Sequence, residues 1–212
     1  MDQSYITIFQ IIILIISVVA HEVAHGFAAL HFGDKTALYK GRLTMNPLKH
    51  IDPIGTIILP IFLVMIKSPI GFGWAKPVPF NPLNFTNMRL GTRVVALAGI
   101  VVNFTLALIF GLTLRFIGPS LGDGAQLILY LIVLTNLSLG IFNLIPIPPL
   151  DGSKIVFSFL PARMEKYHIT LEQYGFFVVF GFLILLNLFN LDPISNAVSF
   201  FFQLITGITL NF

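Results

Sequence analysis

The sequence predicts an all-α polytopic membrane protein, a bundle of about four to six transmembrane helices. Short extended or β segments join them, with a re-entrant helix between the first and second full spans. Three observations predict this class. Of 212 residues, 56% are hydrophobic and 10% are charged, where a soluble domain carries about 25% charged residues. The mean hydropathy is +0.92. The apolar residues also gather into long runs instead of alternating with polar ones. Length alone suggests one domain, residues 1–212.

The first run, Tyr5–Leu30, is long enough to cross a bilayer, which takes about 20 residues. Met1, Asp2 and Gln3 give it no basic flank and no small-x-small cleavage site follows it cleanly, so it reads as a retained span and not a leader. Ile54–Ile66 is short and interrupted by Pro60, which suits a re-entrant or interfacial helix. Val94–Ile117, Ala125–Ile145 and Gly175–Leu191 read as further spans. Ile194–Ile208 is rich in Phe but broken by Ser195, Asn196 and Gln203, and its crossing is left open. Residues 41–47 and 73–82 carry Gly, Pro and β-formers without a helical period, so they read as extended.

Charge suggests how the spans are oriented. Lys35, Lys40, Arg42, Lys49, Lys67, Lys76, Arg89 and Arg93 fall between the first span and Val94–Ile117. Lys154, Arg163 and Lys166 follow Ala125–Ile145, whereas the turn Pro119–Gly124 holds only Asp123, with Arg115 nearby. If Ile54–Ile66 does not cross, both basic groups lie in the cytoplasm, as the positive-inside rule asks. A net charge of +3 is too sparse for a nucleic-acid surface. With no cysteine, any metal must be held by His, Asp or Glu.

The first span ends on three titratable residues, in the stretch VVAHEVAHGF. His21-Glu22-Val23-Ala24-His25 is H-E-x-x-H. On a helix, positions i and i+4 share a face, so His21 and His25 can grip one Zn²⁺, with Glu22 on the adjoining turn as a proton acceptor. Histidines satisfied by hydrogen bonds in a bundle are the plainer reading. A glutamate inside a span is costly, however, and marks function by default.

A catalytic zinc takes three protein ligands. His31 lies six residues past His25, roughly on the opposite side of the helix. His50 and His168 sit in charged loops, and Asp34, Asp52, Asp123 and Asp192 read as loop or turn residues. Asp151 differs, because it follows a span through PIPPLDG, where the helix must unwind. Under the charge-derived topology it emerges on the same side as HEVAH. A plain turn aspartate in a D-G pair remains the alternative.

Taken together, HEVAH in the first span and NLIPIPPLDG at 143–152 resemble the site-2 protease family of intramembrane zinc metalloproteases, whose second motif is NxxPxxxLDG. Residues 33–56, AKPVP at 75–79, and Ala98-Gly99 with Asn103 are similar to the compact members. The resemblance implies Asp151 as the third ligand, Glu22 as general base, and Asn143 as a polar contact near the reacting carbonyl. It also implies one Zn²⁺, a transmembrane protein substrate, and a multi-pass location in the cell's inner or plasma membrane with the site towards the cytoplasm. PDZ and CBS domains found in many members do not fit in 212 residues, and no span precedes HEVAH. Gating is then expected from the membrane core or a separate regulatory membrane protein. A metal transporter or channel using the same cluster, and an inactive scaffold, are the competing readings.

Overall fold

The computed structural model describes residues 3–58, 62, 65, 76–161 and 164–210. Most of Ile54–Ile66 beyond Ile58, the start of 73–82, Ala75, Lys67 and Arg163 lie outside the described residues, as do the side chains of Lys166 and His168.

Among the described residues, three helices are long and apolar enough to cross a membrane. They are α1 (Gln3–His31), α3 (Met88–Phe116) and α4 (Asp123–Leu144). Short α2 (Thr36–Tyr39) and α5 (Asp151–Phe157) follow α1 and α4. Then come α6 (Glu165–Gln173), α7 (Gly175–Leu188) and α8 (Pro193–Thr206). The chain is an all-α polytopic membrane protein, and the described residues form no β-strand.

One predicted span is corrected. Gly175–Leu191 reads as a full crossing, yet α7 has 14 residues, about 21 Å at 1.5 Å per residue against a core of about 30 Å. Asn190 takes a positive φ of 51°. Asp192 then caps α8 by accepting from Ser195 N, with Pro193 in its first turn. The segments Phe177–Leu188 and Pro193–Thr206 are bent by 85° to one another, and only taken together are they long and apolar enough for a span. Hydropathy counts Phe189 and Leu191 towards the span, although the helix has already ended at Leu188.

The bundle is held by packing, since lipid offers apolar side chains no hydrophobic drive to leave it. Ala107 and Leu114 of α3, Val133, Leu137 and Ile141 of α4, and Val198 and Phe202 of α8 form one buried cluster. The outer face of α1, including Ile8, Ile11, Ile12, Ile15 and Ile16, is exposed and suits lipid. His25 lies beside Val95 in the first half of α3, and His21 beside Asn103 about two turns further along it, so α1 and α3 are antiparallel. Ser17 pairs with Asn136 of α4, and Asp151 just past α4 meets the histidines, so α1 and α4 are parallel. The connection from α1 to α3 therefore starts and ends at one end of the bundle.

Asp34 ties that connection together. It is fully buried, accepting from Asn81 N at 2.7 Å, Asn84 Nδ2 at 2.7 Å and Thr36 N at 3.1 Å. Burial pushes its carboxyl up, but these donors outweigh it and hold the group below the usual carboxylate range. The segments expected to be extended are joined side by side without a ladder. Arg42 Nη2 donates to Lys76 O at 2.7 Å, and Lys76 N donates to His50 O at 2.9 Å. His50, placed by sequence in a charged loop, is buried there beside Thr44 O.

Candidate metal centre

A buried stripe runs along α1 at four-residue spacing: Ile13, Ser17, His21, His25 and Ala29. It meets a matching stripe of α3, Val95, Gly99, Asn103 and Ala107, which is also buried. Rows of this spacing are the ridges by which helices interlock. Polar residues occupy the middle of both rows. At Gly99 a Cβ would stand 2.6 Å from His21 Nε2 and from His25 Cε1. Only glycine lets both imidazoles lie against the α3 backbone. Gly152 has the same function for the third residue, since a Cβ there would overlap the Leu144 carbonyl. Its absence lets α5 fold back against the end of α4 and bring Asp151 inward.

The three donors form a small triangle. His21 Nε2 and His25 Nε2 are 2.9 Å apart, and Asp151 Oδ2 lies 3.1 Å from the first and 3.0 Å from the second. All three residues are buried. His25 Nδ1 is 2.7 Å from Val95 O. A carbonyl oxygen only accepts, so His25 Nδ1 carries the proton and Nε2 presents a lone pair. His21 Nδ1 is 2.6 Å from Asn103 Oδ1, which also only accepts. Two lone pairs and a carboxylate oxygen thus face one another at contact distance. Only a cation in their midst, a metal ion or added protons, makes this favourable. Tetrahedral zinc bound at 2.0–2.1 Å has ligand atoms about 3.3 Å apart, slightly wider than the observed triangle. The donor set therefore fits zinc. Each Nδ1–H is also held by an oxygen, as metal-binding histidines require.

Asp151 is held from its other side. Lys154 Nζ lies 3.2 Å from Asp151 Oδ1, leaving Oδ2 for the histidines. Burial raises the Asp151 carboxyl, but positive charge beside it, the Lys154 ammonium at Oδ1 and any cation shared with the two imidazoles, outweighs this and holds the group below the usual range. The carboxylate is therefore ionised, the form that binds metal.

Glu22 faces the loop. Its Oε2 accepts from Val78 N at 2.7 Å, and its carboxylate lies within 4.8 Å of donor atoms of both histidines. Asn143 is half-buried near the end of α4, and its Nδ2 donates to Leu139 O of its own helix at 2.9 Å. That bond runs along α4 and not into the triangle. Four of the five residues singled out by sequence thus come together, and Asn143 stands one short turn of chain before Asp151. Lys154, the Val95 carbonyl and the Val78 amide were missed. The only signal for Lys154 is its i+3 spacing from Asp151. The two backbone groups leave no mark in a sequence.

A buried His-His-carboxylate set within a bundle of membrane-spanning helices defines a membrane metalloprotein. Comparison with known proteins then places the chain more narrowly. The profile of peptidase family M50 matches residues 112–188. The chain is 38% identical over 201 residues to "Putative zinc metalloprotease YwhC" of Bacillus subtilis, covering 89% of this chain and 86% of that protein. It is 32% identical over 184 residues to "Putative zinc metalloprotease Rip2" of Mycolicibacterium smegmatis, covering 85% and 69%. The Mycobacterium tuberculosis protein of the same name is 30% identical over 155 residues, covering 70% and 57%. No solved structure matches the chain. The chain belongs to the site-2 protease family of zinc metalloproteases, peptidase family M50.

Proposed function

We propose that this chain is an intramembrane zinc endopeptidase, cleaving peptide bonds within or near transmembrane segments of membrane-protein substrates. One zinc is held by His21, His25 and Asp151, and residues 1–212 act as a single membrane-embedded metalloprotease domain. The observation that carries the reading is the convergence of His21 Nε2, His25 Nε2 and Asp151 Oδ2 within 3.1 Å inside a membrane bundle. Such a triangle asks for a cation, and Glu22 beside it supplies a base.

Bound zinc supplies Lewis acidity, bringing the pKa of a water down to about 7 and polarising a carbonyl. The remaining work falls to side chains of this chain. Glu22 takes a proton on its carboxylate and returns it to the leaving amine. The Val78 amide holds that carboxylate in place. Asn143 is assigned the polar contact to the carbonyl under attack. Lys154 keeps Asp151 Oδ1 engaged so that Oδ2 stays on the metal side. A groove of about 440 Å³ opens between α1, α4 and α8, lined by Gln10, Leu14, Leu134, Phe142 and Ile194 among others. It reaches Phe142, the neighbour of Asn143, and supports approach of a substrate helix from the lipid. The basic connections on the HEVAH side support a cytoplasmic site in the inner or plasma membrane. A separate membrane protein is the proposed regulator.

The test is incubation of detergent-purified protein with a single-span substrate, with and without a zinc chelator. Cleavage that the chelator stops and added zinc restores is expected. Metal flux in vesicles without cleavage would select the transporter instead, and neither activity would select a scaffold.

A further inference from the structure

Behind His21 the polar groups continue inward as a single relay. Asn103 Nδ2 donates to Asn136 Oδ1 at 2.9 Å. Asn136 Nδ2 donates to Ile132 O at 2.9 Å and to Ser17 Oγ at 3.0 Å. Asn103 is 0% exposed and Asn136 1%, so no water competes for these bonds. We propose that Asn136 is a positioning residue for zinc: it fixes which way the Asn103 amide points, and through it which nitrogen of His21 faces the metal.

Hydrogen-bond polarity sets the orientation. The two ends of an asparagine amide have nearly the same shape, so Asn103 alone fits either way round. With its NH₂ end towards His21, it would ask Nδ1 for a lone pair and place the ring proton on Nε2, where zinc must bind. The choice is made at the far end. The Ile132 carbonyl can only accept, so Asn136 presents Nδ2 to it. Asn136 Oδ1 then faces Asn103, which must answer with Nδ2. Asn103 Oδ1 is thereby turned to His21 Nδ1 and takes its proton. The Nε2 lone pair is left for the metal. A main-chain carbonyl of α4 thus sets the tautomer of a ligand on α1 through two amides. Ser17 Oγ, which can donate or accept, follows this polarity and does not impose it.

The inference rests on the zinc-site reading, and the experiment separates the two. Full-length protein is stripped of metal and titrated with zinc against a chelator of known affinity. Zinc binding by the wild type checks the site, and its absence would overturn both readings. The relay is checked by ratios among variants. Asn136→Leu keeps the branched shape and removes the amide. It should weaken zinc binding by about 10- to 100-fold, the usual range for residues behind a ligand. Asn103→Asp can only accept, so His21 keeps its polarity without help from Asn136. Adding Asn136→Leu to Asn103→Asp should then cause no loss of zinc affinity, because it also removes the acceptor-to-acceptor contact between Asn136 Oδ1 and the second carboxylate oxygen. A role for Asn136 in packing alone would give the same loss in both backgrounds. Unchanged affinity in Asn136→Leu, or equal losses in the two backgrounds, would overturn the proposal. Should Asn136→Leu fail to fold, ¹⁵N-histidine spectra of the metal-free wild type, at a pH where His21 is neutral, decide. The relay requires the proton on His21 Nδ1, and a bare Nδ1 overturns it.

Discussion

Val78 N and Glu22 Oε2 are 2.7 Å apart, a bond between a loop amide and a helix carboxylate 56 residues away in sequence. The loop comes this close because residue 26 is glycine. A Cβ there would stand 2.9 Å from Val78 Cγ1. The segment read from sequence as extended over 73–82 thus spends the Val78 amide on the Glu22 carboxylate.

This bond predicts a contrast between two substitutions. Val78→Pro removes the amide hydrogen and frees Glu22 to rotate, which should lower kcat by about 10-fold or more. Val78→Ala keeps the hydrogen and should retain most turnover. Zinc content should be unchanged in both. Equal rates for the proline and alanine variants would show that the amide does not orient the base.

Glu22→Gln keeps the size of the side chain and removes its basicity. Bound zinc should stay at the wild-type level while cleavage falls by about 10²–10⁴-fold, the contribution expected of a general base. The check is metal analysis on the same sample used for the cleavage assay. Full turnover in this variant would end the base assignment.

Lys154→Met removes the ammonium that engages Asp151 Oδ1. Zinc affinity should fall by about 10-fold, within the range for groups that brace a ligand. Asp151→Ala should lower it much further. Equal affinities in wild type and Lys154→Met, measured by chelator competition, would show that Asp151 needs no brace.

Gly99→Ala puts a methyl group 2.6 Å from His21 Nε2. The helices must part to admit it, at a cost of about 1–3 kcal/mol. Thermal unfolding should shift down and zinc binding should weaken by at least about 10-fold. Wild-type affinity would mean that α1 and α3 do not meet at this point.

Asp34 predicts how the fold responds to acid. Its folded pKa lies below the unfolded value of 3.8, so its stabilisation is complete above about pH 4 and fades as pH falls through the lower folded value. Asp34→Asn should destabilise the protein at pH 7 by about 1–3 kcal/mol, because hydrogen bonds to a charge are lost. It should also flatten the stability profile below pH 4. An unchanged acid limb in unfolding scans would remove Asp34 from that role.

The sequence announced those features that local spacing encodes. H-E-x-x-H fixes two imidazoles on one helix face without reference to anything distant. PIPPLDG marks a forced break that delivers Asp151. Other features depend on partners far along the chain. Asp34 looks like any turn aspartate until Asn81 and Asn84 arrive about fifty residues later. Asn103 belongs to a family-like pattern, but its tie to Asn136 leaves no mark in the sequence, because the order of donor and acceptor along a relay is set by geometry. The bend after α7 was written in Asn190 and Asp192-Pro193, but apolar Phe189 and Leu191 lengthened the apparent span past the helix end.

The account turns on His21, His25 and Asp151 holding a single metal ion. A crystal structure of the zinc-loaded protein, with anomalous data at the zinc edge, tests this most directly. The predicted result is one peak about 2.0–2.2 Å from His21 Nε2, His25 Nε2 and an oxygen of Asp151. A zinc peak bound elsewhere, or one at the two histidines with Asp151 turned away, would contradict it.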